Sequence, residues 1–99
     1  MRGRFVELVG RQLELFAAEY AGLLRDCEAA LAAYDAASRE EAEERYGDYL
    51  DLVDAARDAL VDYRDGYART LELDAAAEYE EAFNRLVRKR LPRLGLELD

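Results

Sequence analysis

Apolar residues recur every three or four positions through the first third of the chain. The steps between them average about 3.6 residues, which is the period of a straight α-helix. We therefore predict a first helix over residues 4–36, with a single main apolar face. That face consists of Phe5, Val9, Leu13, Phe16, Tyr20, Leu24, Cys27, Leu31 and Tyr34.

The next apolar face alternates steps of four and three residues, close to the heptad repeat of packed helices. It predicts a second helix over residues 39–72. The preceding Ser38-Arg39-Glu40-Glu41 has the spacing of a capping box, in which Ser38 and Glu41 each bond the other's backbone N–H. A short turn there makes the first two helices antiparallel neighbours. The second face consists of Ala42, Tyr46, Tyr49, Val53, Ala56, Leu60, Tyr63, Tyr67 and Leu71.

A third, shorter helix is predicted over residues 75–91, with Asp74 as its N-cap and Pro92 at its end. The charges change from basic to acidic near Leu73–Asp74, which favours a break there over one continuous helix of about 50 residues (~75 Å). Residues 92–99 alternate apolar and polar positions and are predicted to be an extended tail. The fold class is therefore all-α, in a single domain: a long antiparallel helical hairpin plus a shorter third helix, forming a three-helix bundle with an extended C-terminal tail.

The composition argues against an enzyme. The chain contains no histidine and one cysteine, and Ser38 and Thr70 are its only hydroxyl-bearing aliphatic residues. The usual general base, the commonest metal ligand and most nucleophile systems are therefore missing. We expect no catalysis, no metal and no cofactor. A lone cysteine cannot form an internal disulfide, so we expect a cytoplasmic location.

The net charge of −9 argues against binding to nucleic acid, because attraction to phosphate supplies most of that affinity. The charge is uneven, since residues 26–81 hold 18 acidic and 5 basic groups. The longest uncharged stretch in residues 1–91 is six residues, Ala29–Tyr34. A membrane span needs about 20 apolar residues, so we expect no membrane insertion.

A second apolar stripe on the first helix indicates self-association. Leu8 and Leu15 lie about 120° from the main face, and Ala30 and Ala33 continue the same line. The third helix is too short to cover more than about half of the first helix at 1.5 Å per residue. Two hairpins packed through this stripe would form a four-helix arrangement with C2 symmetry. We therefore expect a homodimer; the third helix, the tail or another protein are the alternative covers.

The seven tyrosines all lie on apolar faces, which permits two interpretations. They supply bulk to an alanine-rich core, or they line a pocket for an aromatic or amphipathic ligand. The candidate pocket residues are Tyr20, Tyr49 and Tyr63 with Arg57. A hairpin centred near Ala37 also places Arg57 beside Glu19, which predicts an ion pair at the edge of the two helices.

Two charged clusters are more simply explained by structure than by function. The first is a row of aspartates opposite the apolar face of the second helix, which we interpret as its solvated side, with a surface for a divalent cation or a basic partner as the alternative. The second is a basic cluster at the end of the third helix, which suits a helix C-terminus and can neutralise the acidic faces of the first two helices, with a docking patch for an acidic partner or RNA as the alternative. The two clusters are Asp51, Asp54, Asp58, Asp62 and Asp65, and Arg85, Arg88, Lys89, Arg90 and Arg93.

In length and hairpin architecture the chain resembles the small secreted helical proteins that carry a Trp-x-Gly turn and dimerise into four-helix bundles. The turn here reads Ala36-Ala37-Ser38, and the chain has no tryptophan. That family's C-terminal Tyr-x-x-x-Asp/Glu signal is also absent, since Tyr67 follows Tyr63 and Phe83 follows Tyr79. The resemblance covers architecture only.

These observations lead to a functional expectation without a named partner. The leading hypothesis is a non-enzymatic interaction or scaffold module that acts as a homodimer. One alternative is a small-ligand-binding bundle with a tyrosine-rich core. Another is an acidic decoy that binds a basic protein.

Overall fold

The computed structural model describes residues 3–95 and confirms the all-α fold class. Four α-helices are present in this range: α1 (Val6–Glu19), α2 (Ala21–Asp35), α3 (Ala42–Ala68) and α4 (Leu73–Arg90). A short 3₁₀ helix, Pro92–Leu94, follows α4. Within residues 3–95 no β-strand is formed.

The predicted first helix is in fact two helices, which corrects the expected three-helix count. Tyr20 has φ −106° and ψ 27°, outside helical geometry, and separates α1 from α2. The helical hydrogen bonds persist on both sides, from Tyr20 N–H to the Phe16 carbonyl (2.8 Å) and from Leu24 N–H to the Tyr20 carbonyl (3.0 Å). The bend lets α1 pack on α4 while α2 pairs with α3. Gly22, a weak helix former, lies in the first turn after it.

The predicted capping box is not formed. Ser38 Oγ donates to Glu41 Oε1 at 3.3 Å, and the Glu41 N–H bonds to the Ser38 carbonyl at 3.0 Å. Residues 39–41 form a turn, and α3 begins only at Ala42 with no side-chain cap. The hairpin turn is therefore longer than predicted, and the register between the helices shifts with it. Tyr63, rather than Arg57, lies opposite Glu19.

The predicted break between the last two helices is confirmed. Residues 69–72 separate α3 from α4, and Glu72 is the N-cap in an extended conformation. Asp74, the predicted N-cap, instead lies in the first turn of α4. The extended tail is wrong for residues 92–94, because they form the 3₁₀ helix and bury Leu94. The rest of the predicted tail, residues 96–99, lies outside the described residues.

The core lies between α1, α3 and α4. Phe16, Leu60 and Phe83 are fully buried there, and the Phe5 ring meets the Tyr79 ring edge-on at 5.6 Å. In contrast, Cys27 is the only buried residue of α2. The molecule is elongated, measuring 51 × 26 × 25 Å. We call the hairpin that extends past this core, residues 21–53, the arm.

Candidate interaction surface

The predicted tyrosine pocket is not assembled. Tyr20 and Tyr63 pack against Phe16, with ring centroids 5.0 and 5.6 Å away, and against each other at 6.3 Å. These rings fill the junction between α1, α2 and α3 as core side chains. Tyr49 lies fourteen residues before Tyr63 on α3, about 21 Å away along the helix, and Arg57 is exposed.

The predicted ion pair between Glu19 and Arg57 is also not formed, because of the shifted hairpin register. Glu19 Oε1 instead accepts a hydrogen bond of 2.6 Å from the Tyr63 hydroxyl. This bond to a carboxylate, with a smaller contribution from burial, raises the pKa of Tyr63 to about 12. None of the four ion pairs found among residues 3–95 involves Glu19 or Arg57.

The second stripe of the predicted first helix is divided by the bend at Tyr20. Leu8 is half-buried against the core, whereas Leu15 is 64% exposed. Ala30 is half-buried and Ala33 exposed on α2. Leu8 and Leu15 belong to α1, and Ala30 and Ala33 to α2, on the two sides of the non-helical Tyr20. Leu15 is the large apolar side chain that the stripe leaves in solvent.

A groove that the sequence did not predict lies between the arm and the end of α4. It encloses about 540 Å³. Its apolar walls come from α2, α3 and the 3₁₀ helix, and Arg90 and Arg93 stand at one side. We call it the basic groove. Its lining residues are Leu24, Cys27, Glu28, Leu31, Tyr49, Val53, Arg90, Leu91, Pro92, Arg93 and Leu94, so two arginines stand against one carboxylate.

The sequence contained a partial signal for the basic groove. Arg90 and Arg93 belong to the predicted basic cluster, and apolar Leu91 and Leu94 alternate with them. Arg85 of the cluster pairs with Glu81 of the same helix at 3.7 Å, not with an acidic group of the first two predicted helices. Arg90 makes only a long hydrogen bond, 3.5 Å, to the Gly10 carbonyl. The sequence could not show that this segment folds back towards the arm.

Beyond the basic groove, the same face of the arm continues without a cover. Tyr46 is 44% exposed and Leu50 39% exposed. The Tyr46 ring touches the rings of Tyr34 and Tyr49, at centroid distances of 5.1 and 6.3 Å. Exposed Glu43 lies one turn before Tyr46. We call Tyr34, Tyr46 and Leu50, with acidic Glu43 and Asp54 beside them on α3, the arm tip.

The length of α4 explains why the arm tip is uncovered. Arg64 follows Tyr46 and Leu50 along one line of α3, and its guanidinium donates to Asn84 of α4 at 2.9 Å. This line is therefore the side of α3 on which α4 packs. At 1.5 Å per residue, the 18 residues of α4 extend about 27 Å and the 27 residues of α3 about 40 Å. Arg57, which lies between Leu50 and Arg64 on the same line, is already exposed, so the covering segment ends before it reaches Leu50.

The predicted aspartate row on α3 is a solvated surface. Asp51, Asp54, Asp58 and Asp62 are exposed, and Asp65 pairs with Arg64 at 2.9 Å. In the described part of the chain no group of three acidic or cysteine side chains is arranged to hold a metal ion.

The thiol of Cys27 is buried, and burial, followed by Asp26 and Glu28, raises its pKa. It is therefore mainly protonated and weakly reactive. Across residues 3–95, no helix has the length and apolar character to cross a membrane.

The comparisons with known proteins give no relative: no protein family, curated protein or solved structure matches this chain.

Proposed function

We propose that this chain is a non-enzymatic interaction or scaffold module that works as a homodimer in the cytoplasm. The observation that carries the proposal is the uncovered apolar face of the arm, where Tyr46 and Leu50 are exposed next to the basic groove. Contiguous apolar surface on a small protein typically marks an interaction site. The buried lone thiol of Cys27 suits a reducing compartment.

A second copy of the chain is the simplest partner for this face. Most soluble oligomers are homo-oligomers, and C2 dimers are the commonest of them. Two arms packed face to face would add two helices to each hairpin and produce a four-helix arrangement. Tyr46 and Leu50 would gain burial worth roughly 25 cal/mol per Å² of apolar area.

The solution mass tests the proposal. Light scattering over a concentration series is expected to rise from 11.3 kDa towards twice that value. Leu50→Glu is expected to keep the monomer mass at all concentrations, because it places a charge in the contact. Leu73→Glu is the matched control, since Leu73 is 88% exposed at the start of α4, away from the arm. A wild-type mass that stays at 11.3 kDa would overturn the proposal.

The variant Leu15→Glu tests whether the dimer forms through the arm or through the stripe predicted on the first helix. Leu15 is the exposed large side chain of that stripe, and it lies on the other side of the bend at Tyr20. A dimer that forms through the arm keeps its dissociation constant in this variant. Loss of the dimer in Leu15→Glu, with Leu50→Glu still dimeric, would assign the contact to α1 instead.

A small amphipathic anion is the second candidate, because the basic groove has a volume typical of ligand sites. Its apolar walls suit a hydrocarbon chain, and Arg90 and Arg93 suit a carboxylate. Decanoate is a suitable probe, with binding followed by calorimetry on the Leu50→Glu monomer. Decanol is the matched control, because it keeps the chain and lacks the charge. Equal binding of both, or binding of neither, would reject this candidate.

A further inference from the structure

We propose that the arm tip of each copy docks into the basic groove of the other, so that the homodimer is held by two identical and reciprocal contacts. This inference rests on the proposed homodimer and specifies how its two copies meet. It assigns a role to two surfaces that the fold leaves open on one chain.

The arm tip and the basic groove are complementary in charge. Arg90 and Arg93 line the groove together with one acidic residue, Glu28, so its charged groups are basic on balance. Glu43 and Asp54 lie beside Leu50 on α3, seven residues before it and four after it, and therefore on the same side of the helix. Among residues 3–95, neither these two carboxylates nor Arg93 has an ion-pair partner within the chain. A second copy supplies each group with an opposite charge.

The two surfaces are also complementary in apolar character. The floor of the basic groove includes Leu24, Leu31 and Val53, and the arm tip offers Tyr46 and Leu50. A buried aromatic or aliphatic anchor surrounded by polar groups is the usual anatomy of a specific contact. The volume of about 540 Å³ has room for these two side chains.

The positions of the two surfaces allow two copies to form a closed, symmetric dimer. Tyr49 and Val53 line the basic groove, and Leu50 lies between them in sequence, so tip and groove adjoin on one face of the arm. When two arms lie antiparallel on this face, each tip meets the other groove at the same time. A reciprocal contact of this kind is isologous and stops at two copies.

Charge reversal tests the reciprocity. The groove variant combines Arg90→Glu and Arg93→Glu, and the tip variant combines Glu43→Arg and Asp54→Arg. In each variant alone, groove and tip carry the same sign, so the dissociation constant measured by sedimentation is expected to rise at least about tenfold. In an equimolar mixture, the reversed tip faces the reversed groove and the two unreversed surfaces face each other, so both contacts pair opposite signs. The mixture is therefore expected to regain a dimer of near wild-type affinity.

Two controls keep the result interpretable. Arg11→Glu with Arg69→Glu changes the net charge as much as the groove variant does, at exposed positions outside both surfaces, and is expected to leave the dissociation constant within about threefold of wild type (~0.7 kcal/mol). Circular dichroism establishes that each variant remains helical. If the groove variant loses its helices, it is replaced by the milder pair Arg90→Gln and Arg93→Gln, for which a smaller rise in the dissociation constant is expected because attraction is lost and no repulsion is added.

The outcomes separate the inference from the proposed function. A wild-type chain that is monomeric at every concentration overturns both. A wild-type dimer that is insensitive to both reversals, as when residues 96–99 or a ligand occupy the groove, overturns the docking and leaves the homodimer standing. Two weakened variants that fail to associate with each other overturn the reciprocity.

Discussion

Among residues 3–95, Asn84 is the one buried polar side chain of the core, and a hydrogen bond joins it to a neighbouring helix. Asn84 is 1% exposed, and its Oδ1 accepts from Arg64 at 2.9 Å. Arg64→Met removes the donor and leaves a buried amide oxygen without a partner. We expect a loss of about 1 to 3 kcal/mol in the free energy of unfolding. Urea denaturation of Arg64→Met at a fixed protein concentration measures it.

Arg11→Met is the control for this prediction, because Arg11 is exposed and is expected to change the free energy by less than about 0.5 kcal/mol. The double variant Arg64→Met with Asn84→Leu is expected to recover stability relative to Arg64→Met alone, since no buried polar atom is then unpaired. Equal losses in Arg64→Met and Arg11→Met would show that the bond contributes nothing.

The pKa of the Tyr63 hydroxyl depends on its hydrogen bond to Glu19, so it reports the register of the hairpin. Its pKa is about 12 because it donates to Glu19, compared with an ordinary value of 10. Burial raises the pKa of Tyr79 to about 12 as well. In Glu19→Gln the carboxylate is gone, so the pKa of Tyr63 is expected to fall towards 10. Ultraviolet titration of tyrosinate, with Tyr63→Phe as the reference, follows the change.

The sign of the linked stability effect follows from the same two side chains. Between pH 10 and about 12 the folded state keeps protons on Tyr63 and Tyr79 that the unfolded state loses. The stabilisation is therefore complete below pH 10 and is lost as the pH rises through about 12. Tyr63→Phe is expected to flatten this loss, and a pH dependence identical to wild type would contradict the assigned pKa.

At the scale of elements, the periodicity predicted the helices well and their junctions poorly. The apolar face from Phe5 to Tyr34 keeps its spacing through Tyr20, so nothing in the pattern marks the bend. The bend arises because α1 packs on α4 and α2 on α3, which is a tertiary effect. Likewise, Ser38 and Glu41 have the residue types of a capping box but bond through their side chains. α3 begins three residues later than predicted, and Tyr63, six residues after Arg57, lies opposite Glu19.

Two helical glycines are expected to respond differently to alanine because of their surroundings. A Cβ at Gly66 of α3 meets nothing within 4 Å, whereas one at Gly10 of α1 lies 3.4 Å from the guanidinium of Arg90. Gly66→Ala is therefore expected to stabilise the protein by roughly 0.5 to 1 kcal/mol. Gly10→Ala is expected to gain less, since Arg90 has to move. Thermal unfolding of both variants measures the two changes in stability. A larger gain for Gly10→Ala than for Gly66→Ala would contradict the packing of Arg90 against Gly10.

At the scale of the whole molecule, the candidate surface depends on where each helix ends relative to its neighbours, which the sequence pattern does not determine. The apolar pattern assigns both Tyr46 and Tyr49 to the core. In the structure Tyr46 is 44% exposed and Tyr49 lines the basic groove. Their different surroundings follow from where α4 ends and where the 3₁₀ helix folds back to bury Leu94. The sequence did indicate that the third helix is too short to cover a long hairpin. It placed the uncovered part on the first helix, where Leu15 is 64% exposed, and did not indicate the arm tip, because the end of α4 relative to α3 was unknown.

The net charge of −9 on each copy makes the dimer depend on salt in two opposing ways. At about 0.01 M salt the Debye length is ~30 Å, so the two copies repel across the whole dimer. Near 0.15 M it is ~8 Å, which screens the distant charges but leaves close contacts between the arm tip and the basic groove. At 1 M it is ~3 Å, and these contacts weaken too. The dissociation constant is therefore expected to be lowest at intermediate salt.

Sedimentation across this salt series checks the minimum, and the Arg11→Glu, Arg69→Glu variant identifies its cause. That variant increases the repulsion between copies and leaves both docking surfaces intact. Its dissociation constant is therefore expected to rise at low salt and to match wild type at 1 M. A constant that falls steadily with salt in both proteins would mean that apolar contact alone holds the dimer. A steady rise from the lowest salt would mean that attraction between tip and groove outweighs the net repulsion even when it is unscreened.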